Sequence, residues 1–198
     1  MDAARPMTEL VFVRHASTSW SGHRYCGRAD PPLNRPGRLI AGRLATELSA
    51  SVTPGFARAG RIISSPARRA RQTAAAIARA IPGLLVEIDE RWAEADFGLA
   101  DGLTFEELAA IEPGLAERLA LGETAIDWPG GESASSLTER VRSALQDLED
   151  DPAPTVVVSH AGPLRIAIAL ATATPIEDVA FLEPGEVLGG SRMLRFRA

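Results

Sequence analysis

Histidine is scarce in this 198-residue chain, and two of its three histidines directly follow short apolar runs. Arg14 and His15 follow residues 10–13, and Ser159 and His160 follow residues 155–158. A neutral imidazole is a nucleophile toward phosphorus when one ring nitrogen is held as a donor and the other is free. A lone histidine at a strand end is more often a loop residue than a catalyst. Two at equivalent positions, one preceded by arginine, favour a catalytic role with His15 as the nucleophile.

A phosphoryl group on His15 would carry about two negative charges and would need fixed positive partners. Arg14 is next in sequence and offers one guanidinium. His160 offers a further donor. Another cation is expected from the segment 64–71, where a helix begins just after a predicted strand, since helix N-termini and serine hydroxyls also favour anions. We expect one of three arginines there in the pocket and the other two on a solvated face: Arg68, Arg69 and Arg71.

Transfer of a phosphoryl group to histidine also requires an acid that protonates the leaving oxygen. Such an acid is a carboxyl group with a raised pKa close to the pocket. The residues alone leave four candidates open: Glu90, Glu94, Asp96 and Asp101.

The composition excludes several other classes of function. The net charge of −5 argues against a nonspecific binder of nucleic acid or of anionic membranes, although all 21 basic residues are arginine. Cys26 is the only cysteine, so an intrachain disulfide is excluded and a reducing compartment is favoured. We expect no signal peptide and no transmembrane helix, because no long apolar segment is present. The expected location is the cytoplasm.

Apolar runs and helical periodicity alternate along the chain. Strands are predicted at 10–13, 61–64, 84–88, 155–158, 179–182, 186–188 and 192–196. Helices are predicted at 34–50 with Asn34 as N-cap, at 65–80, at 105–111, after Pro113, from Ser133 or Ser135 to 148, and at 162–172. Trp20, Trp92 and Trp128 are expected to pack rather than to stack on a ligand.

This alternation predicts a single α/β domain over residues 1–198 with a mainly parallel central sheet. Ligands of such sheets bind at the carboxyl ends of the strands. Three predicted strand ends carry reactive sequence, namely Arg14-His15, Ser64-Ser65 and Ser159-His160. We therefore expect these residues to meet in one pocket.

Six segments, in order, resemble the motifs of the histidine phosphatases, also called the phosphoglycerate mutase-like superfamily. The opening Arg14-His15-Ala16-Ser17-Thr18-Ser19-Trp20-Ser21 resembles Arg-His-Gly-Glu-Thr-x-Trp-Asn. The others are residues 27–34, Ser64-Ser65-Pro66 through Ala74, Glu94-Ala95-Asp96-Phe97-Gly98, Pro129-Gly130-Gly131-Glu132-Ser133, and Ser159-His160-Ala161-Gly162. The resemblance implies a three-layer α/β/α fold of phosphoglycerate mutase-like type.

The resemblance also implies roles for individual residues. It implies His15, Glu94 and His160 as the catalytic residues, with Glu94 as the proton donor, and Arg14 and Arg69 as the pocket arginines. No cofactor and no metal are expected. Three further residues are candidates for substrate binding: Ser21, Gly27 and Arg28.

Alternatives stay open for those three candidates, and the chain departs from the motifs at several positions. The Gly27 N–H would donate to the anion or belong to a turn, and Arg28 would contact substrate or cap its loop.

Ser21 replaces a longer asparagine, so a phosphate contact is lost or bridged by water. Ala16 and Ala161 replace glycines, which is tolerable at negative φ. Residues 99–102 replace the usual continuation of the acid segment.

These observations favour a phosphomonoesterase that acts on a small phosphorylated metabolite through phosphohistidine. Two alternatives are a phosphoglycerate mutase-type transfer and a noncatalytic protein that binds a phosphorylated ligand. The span from Glu94 to Pro129 is acidic and contains only Arg118 as a base, which fits a second anionic group poorly. Neither nucleic acid nor membrane is expected as a partner, and a homodimer is left open.

Overall fold

The computed structural model describes residues 8–51, 60–151, 153–188 and 194–196. Four parallel strands form the centre of the sheet: β1 (Thr8–Arg14), β2 (Arg61–Ser64), β3 (Val86–Ile88) and β4 (Thr155–Ser159). They lie in the order β3-β2-β4-β1, and two short strands, β5 (Val187–Leu188) and β6 (Leu194–Phe196), pair antiparallel with β1. The mainly parallel sheet predicted from the sequence is confirmed.

Helices cover both faces of this sheet. Among the described residues they are α1 (Arg35–Ser51), α2 (Arg68–Ala80), α3 (Phe105–Ile111), α4 (Pro113–Ala120), α5 (Ala134–Asp150) and α6 (Ala161–Thr172), with 3-10 turns at Glu90–Trp92, Gly98–Ala100 and Ile176–Asp178. The predicted N-cap of the first helix is confirmed, because the Asn34 side-chain oxygen accepts from the Gly37 N–H at 2.7 Å. No described helix has the length and apolar character needed to span a membrane.

Alternate residues of the strands point to opposite faces, which divides the core in two. Val11 and Val13 of β1 pack with α1 and α2, in a cluster that also holds Leu44 and Ile77. Leu10 and Phe12 pack on the other face against α5 and α6, together with the fully buried Trp92. The chain therefore forms the expected three layers, with the sheet between two helical layers.

A third apolar cluster lies apart from these two faces, in the segment whose pattern is hardest to read in the sequence. Leu108 of α3, Leu115 of α4 and Ile126 are buried in it, with Phe97 and Trp128 packed against them. The Tyr25 N–H donates to the carbonyl of Leu103 at 2.9 Å, which joins this cluster to the long loop after β1. The segment thus contributes a wall near the loop that follows His15.

The predicted strand at 179–182 is wrong. Val179 and Leu182 are buried, as an apolar strand would be, but they have no partner strand in the described sheet. Arginine side chains donate hydrogen bonds to their carbonyl oxygens instead. Arg165 Nε donates to the Val179 carbonyl at 2.7 Å, and Arg14 donates to the Leu182 carbonyl at 2.5 Å. Because these guanidinium groups satisfy the backbone, the segment is buried as an irregular stretch.

Candidate active site

The carboxyl ends of β1, β2 and β4 bring the predicted residues together. Arg14 is in register with Ser159, and Ser64 is in register with Val158. Because the strands are parallel and end at the same level, His15, Ser65 and His160 leave the sheet side by side. The rings of His15 and His160 stand edge to face with their centroids 5.0 Å apart.

The hydrogen bonds of His15 fix which ring nitrogen is free. Its Nδ1 lies 2.8 Å from the carbonyl oxygen of Ala16, which can only accept, so Nδ1 carries the proton. In the neutral ring Nε2 therefore keeps its lone pair. Burial and the positive charges of Arg69 and Arg14 lower the pKa of His15 to about 3, although the bond to Ala16 acts in the opposite direction. The imidazole is accordingly neutral at physiological pH.

His160 is fully buried at the N-terminus of α6 and is fixed by a serine. The Ser65 hydroxyl lies 2.7 Å from Nε2 of His160 and also accepts from the Ala67 N–H at 3.2 Å. Within the described residues Nδ1 of His160 has no hydrogen-bond partner. Burial and the neighbouring Arg69 hold the pKa of His160 well below its ordinary value, so this ring is also neutral.

Arg69 is the arginine of α2 that turns inward, while Arg68 and Arg71 face solvent, which confirms the predicted split of one and two. Only 1% of Arg69 is exposed. Its terminal nitrogens donate to the carbonyl oxygens of Ala29, Cys26 and Gly27 at 2.8, 2.9 and 3.2 Å. These backbone bonds hold the guanidinium in place, and no carboxylate among the described residues pairs with it, so its charge is retained for an anion.

Two further nitrogen donors beside the histidines are buried and unpartnered among the described residues. They are Nε of Arg14 and Nε of Arg69. Another nitrogen of Arg14 is fixed by the Leu182 carbonyl. These two atoms give the site buried donors that an anion would satisfy, and Nδ1 of His160 joins them if the Ser65 hydroxyl donates to Nε2 of that ring.

Glu94 is buried beside the same cations. Its Oε1 accepts from the Ala95 N–H at 3.0 Å, and the Gly162 N–H also bonds to this carboxylate. A Cβ at Gly162 would lie 2.7 Å from Oε1, so a larger residue there would displace the Glu94 carboxylate. Burial raises the pKa of Glu94 despite the opposing hydrogen bonds and the charges of Arg69 and Arg14. Its raised pKa and its place beside the two arginines make Glu94 the carboxyl group that the structure favours as the acid.

Arg140 fixes the backbone around Glu94, and the sequence reasoning gave it no role. It donates to the carbonyl oxygens of Arg91, Ala93 and Glu94 at 2.7, 2.8 and 3.1 Å. Its Nε and Nη2 also pair with the two carboxylate oxygens of Glu132 at 2.7 and 2.8 Å, and Nη2 is shared with the Glu94 carbonyl. The signal available in the sequence was Glu132 itself, which belongs to one of the six matched segments.

Asp101 organises the loop that holds Arg69. Its two carboxylate oxygens accept from the N–H groups of Gly27 and Ala29, each at 2.8 Å. The carbonyl oxygens of those same two residues accept from Arg69. The sequence makes Asp101 a candidate acid. In the structure both of its carboxylate oxygens accept these bonds, so Asp101 positions the loop.

A cavity of about 390 Å³ opens beside Glu94. Ala161 and Gly162 at the start of α6 contribute to its wall. Its other lining residues come from the third apolar cluster, the loop 122–125, α5, α6 and the stretch after α6.

A sequence profile of the histidine phosphatase superfamily (branch 1) matches residues 10–185. The chain belongs to the histidine phosphatase superfamily. A bifunctional protein of Mycobacterium tuberculosis is 39% identical over 167 residues, which cover 83% of this chain but only 44% of that protein. The chain therefore spans less than half the length of this relative.

Other members of the superfamily are matched over more of their length. Phosphoserine phosphatase 1 of Hydrogenobacter thermophilus is 35% identical over 162 residues, which cover 80% of this chain and 74% of that enzyme. The solved structure of a mycobacterial glucosyl-3-phosphoglycerate phosphatase superposes with a TM-score of 0.77 at 30% identity, over 91% of this chain and 88% of that one. The superposition with a phosphatase agrees with the observed fold.

The replacements of two superfamily glycines by alanine cause no backbone strain. Among the described non-glycine residues only Ala173 has a positive φ, so Ala16 and Ala161 adopt conformations open to any residue. Ala16 is fully buried, and its N–H donates to Thr73 at 3.1 Å. The departures at these two positions therefore leave the frame around His15 intact.

Of the two alternatives for the Gly27 N–H, a bond within the protein is the one that the structure shows. That N–H is taken by Asp101, and the carbonyl is taken by Arg69, so both polar groups of its backbone are used within the protein. A Cβ at this position would lie 2.4 Å from the Ala95 carbonyl oxygen, which explains the glycine. Gly27 is part of the frame around Arg69.

Ser21 and Arg28 are occupied locally. The Ser21 hydroxyl accepts from the Thr18 N–H at 2.9 Å and closes a turn. The Arg28 side chain is 57% exposed and pairs with Asp96 at 3.3 Å. Their predicted contacts with substrate stay predictions. Among the described residues, no group of three or more His, Cys, Asp or Glu side chains is placed to hold a metal ion.

Replacement of Asp101 by asparagine is expected to weaken anion binding. An Asn side chain would present an NH₂ group to one of the two backbone N–H donors, so one bond is lost and Arg69 is less well ordered. Because bonds to charged groups contribute about 1.5–3 kcal/mol, we expect the KM and the inhibition constant of inorganic phosphate to rise roughly tenfold with a smaller change in kcat.

The matched control is Asp147→Asn, which removes a surface carboxylate whose partner is Arg91. Both variants are compared by steady-state kinetics and by thermal unfolding. Unchanged phosphate inhibition in a folded Asp101→Asn variant would show that Asp101 does not position Arg69.

Proposed function

We propose that this protein hydrolyses phosphate monoesters through a phosphohistidine formed on Nε2 of His15. The observation that carries the proposal is the bond from Nδ1 of His15 to the Ala16 carbonyl, which leaves the other nitrogen as a nucleophile. A neutral ring needs no prior loss of a proton, so the attacking lone pair is present at physiological pH.

Arg14, Arg69 and His160 support the proposal as the groups that would bind the phosphoryl oxygens. Two of them are cations, and each has a buried nitrogen without a partner among the described residues. If Ser65 donates its hydroxyl proton to Nε2 of His160, then Nδ1 of that ring is a donor. Fixed donors in a buried pocket stabilise the charge that develops as phosphorus is attacked.

Glu94 is the group that we assign to proton transfer. In the first step Nε2 of His15 bonds to phosphorus, the bond from phosphorus to the ester oxygen breaks, and Glu94 gives its proton to that oxygen. In the second step the oxygen of a water molecule bonds to phosphorus, the N–P bond breaks, and the Glu94 carboxylate takes the proton of the water. The cycle ends with free phosphate, a neutral His15 and a protonated Glu94.

The charges around the cavity favour water over a second phosphorylated group as acceptor. Its lining includes one guanidinium, Arg165, and two carboxyl groups, Glu94 and Glu123. Arg118, the only base between residues 94 and 129, pairs with Glu123 at 2.7 Å. A mutase must hold an intermediate with two anionic groups, and this wall offers little to attract the second.

We further propose that the substrate is a small molecule, that the reaction needs no metal, and that the protein acts in the cytoplasm. The phosphohistidine scheme needs no cation besides the arginines. A single cysteine, half-buried and without a disulfide, suits a reducing compartment.

Hydrolysis of p-nitrophenyl phosphate in the presence of EDTA tests the proposal. We expect turnover by the wild-type protein and a loss of at least about 1,000-fold in His15→Ala, because no other group replaces the nucleophile. His23→Ala is the matched control, since His23 is exposed, and should keep full activity. Equal rates in wild type and His15→Ala would contradict the proposal. Loss of activity on adding EDTA would contradict metal independence, and interconversion of 2- and 3-phosphoglycerate would support a mutase.

The raised pKa of Glu94 predicts how kcat/KM depends on pH. The reactive form has neutral His15 and protonated Glu94, so kcat/KM should rise as the pH passes the His15 pKa of about 3 and should fall as the pH passes the raised Glu94 pKa. For p-nitrophenyl phosphate, whose leaving group needs no proton, this alkaline fall should be weak and Glu94→Gln should lose little kcat/KM. For an alkyl phosphate the same variant should lose roughly 100- to 10,000-fold in kcat/KM. An equal loss for both esters would contradict the assignment.

A further inference from the structure

With Glu94 as the acid, the cavity beside it lies on the side of the leaving group. The acid must touch the ester oxygen that departs, and Glu94 contributes to the cavity wall. Ala161 and Gly162, which follow His160 in the chain, line the same wall. The part of the substrate beyond the ester oxygen therefore lies in this cavity, so the lining defines its chemistry.

Aromatic rings form a continuous part of the lining. Tyr25, Phe97 and Trp128 contact one another, with ring centroids 5.8, 5.7 and 4.5 Å apart. Such mutual packing fixes the rings before any ligand arrives. Trp128 therefore also faces a cavity, beyond the packing role expected from the sequence. Further apolar side chains complete this part of the wall: Leu119, Ile126 and Phe181.

The polar side chains of the lining are largely used within the protein. Arg165 Nε donates to the Val179 carbonyl at 2.7 Å, and the guanidinium lies 4.3 Å from the centroid of the Phe181 ring. The Glu123 carboxylate pairs with Arg118, and the Thr138 hydroxyl donates to the Ala134 carbonyl at 2.8 Å. A polyhydroxylated group would lose its bonds to water here and regain few of them.

We propose that the substrate is the phosphate monoester of a bulky apolar or aromatic alcohol, held by the ring wall of Tyr25, Phe97 and Trp128 and by Phe181. This substrate class rests on the proposed phosphomonoesterase function. A volume of about 390 Å³ falls within the range of small-molecule sites and accommodates a fused two-ring or a six-carbon group. Burial of those carbons in the cavity supplies the selectivity, and the phosphate pocket is common to all substrates.

Two pairs of esters test the substrate class, because the leaving oxygen is chemically similar within each pair and only the apolar bulk differs. They are ethyl against hexyl phosphate, and phenyl against 2-naphthyl phosphate. We expect kcat/KM to rise at least about tenfold from the smaller to the larger ester in each pair. Glucose 6-phosphate and 3-phosphoglycerate should be poorer than hexyl phosphate.

Phe181→Ala and Phe105→Ala form a matched pair of variants. Both rings are partly exposed, at 55% and 42%, so neither change removes a core residue, and only Phe181 lines the cavity. Phe181→Ala should reduce the hexyl-to-ethyl ratio of kcat/KM by about threefold or more. Phe181→Leu should restore part of it, and Phe105→Ala should leave it unchanged. An unchanged ratio in Phe181→Ala would overturn the assignment of this cavity.

Failure of the substrate class is distinguishable from failure of the proposed function. Equal kcat/KM across both ester pairs, with turnover dependent on His15, would overturn the substrate class and leave the phosphomonoesterase function standing. If no ester is hydrolysed, calorimetric titration of His15→Ala with 2-naphthyl and ethyl phosphate still decides the substrate class. Tighter binding of the naphthyl ester supports it, and equal affinities overturn it.

Discussion

The hydrogen bond from Nδ1 of His15 to the carbonyl of Ala16 is the interaction on which the account of this site depends. It selects one tautomer, and that tautomer decides which nitrogen can attack phosphorus. The bond exists because β1 ends against β4 and turns immediately, with the His15 N–H donating to the Ser159 carbonyl at 2.9 Å. Ala16 is in turn fixed by Thr73 of α2. The nucleophile is thus oriented by the sheet and by a helix on one of its faces.

The other constraint is the placement of buried charge. The charges of Arg14 and Arg69 act on the pKa of Glu94, and backbone groups satisfy much of the hydrogen bonding of all three side chains. Carbonyl oxygens hold the arginines, and N–H groups hold the glutamate. Such a frame orients the charged groups, and among the described residues no carboxylate pairs with Arg69. Two other carboxylates act through neighbouring groups: Asp101 accepts from backbone N–H groups of the loop around Arg69, and Glu132 pairs with Arg140, which donates to the Glu94 carbonyl.

The sequence predicts the parts of the structure that depend on local pattern. Apolar runs place β1, β2 and β4, and their ends place His15, Ser65 and His160. The choice of Arg69 and Glu94 came from the resemblance to the superfamily, since periodicity alone left three arginines and four carboxyl groups open. What the sequence did not reveal depends on distant partners. Asp101 is 74 residues from Gly27 and Arg140 is 46 from Glu94, so no local pattern announces either contact. Residues 179–182 have the apolar pattern of a buried strand, and Val179 and Leu182 are indeed buried. The pattern does not reveal that distant arginine side chains, rather than a neighbouring strand, bond to their carbonyl oxygens.

The position of the phosphoryl group on the enzyme tests the central claim most directly. Protein labelled with nitrogen-15 in histidine is denatured in alkali during turnover of a monoester, and phosphorus NMR then identifies the phosphorylated ring nitrogen. We expect a phosphoramidate on Nε2 of His15. It should be absent from the His15→Ala variant and present in the His23→Ala variant. Phosphate on Nδ1, on His160, or on any residue other than a histidine would contradict the account.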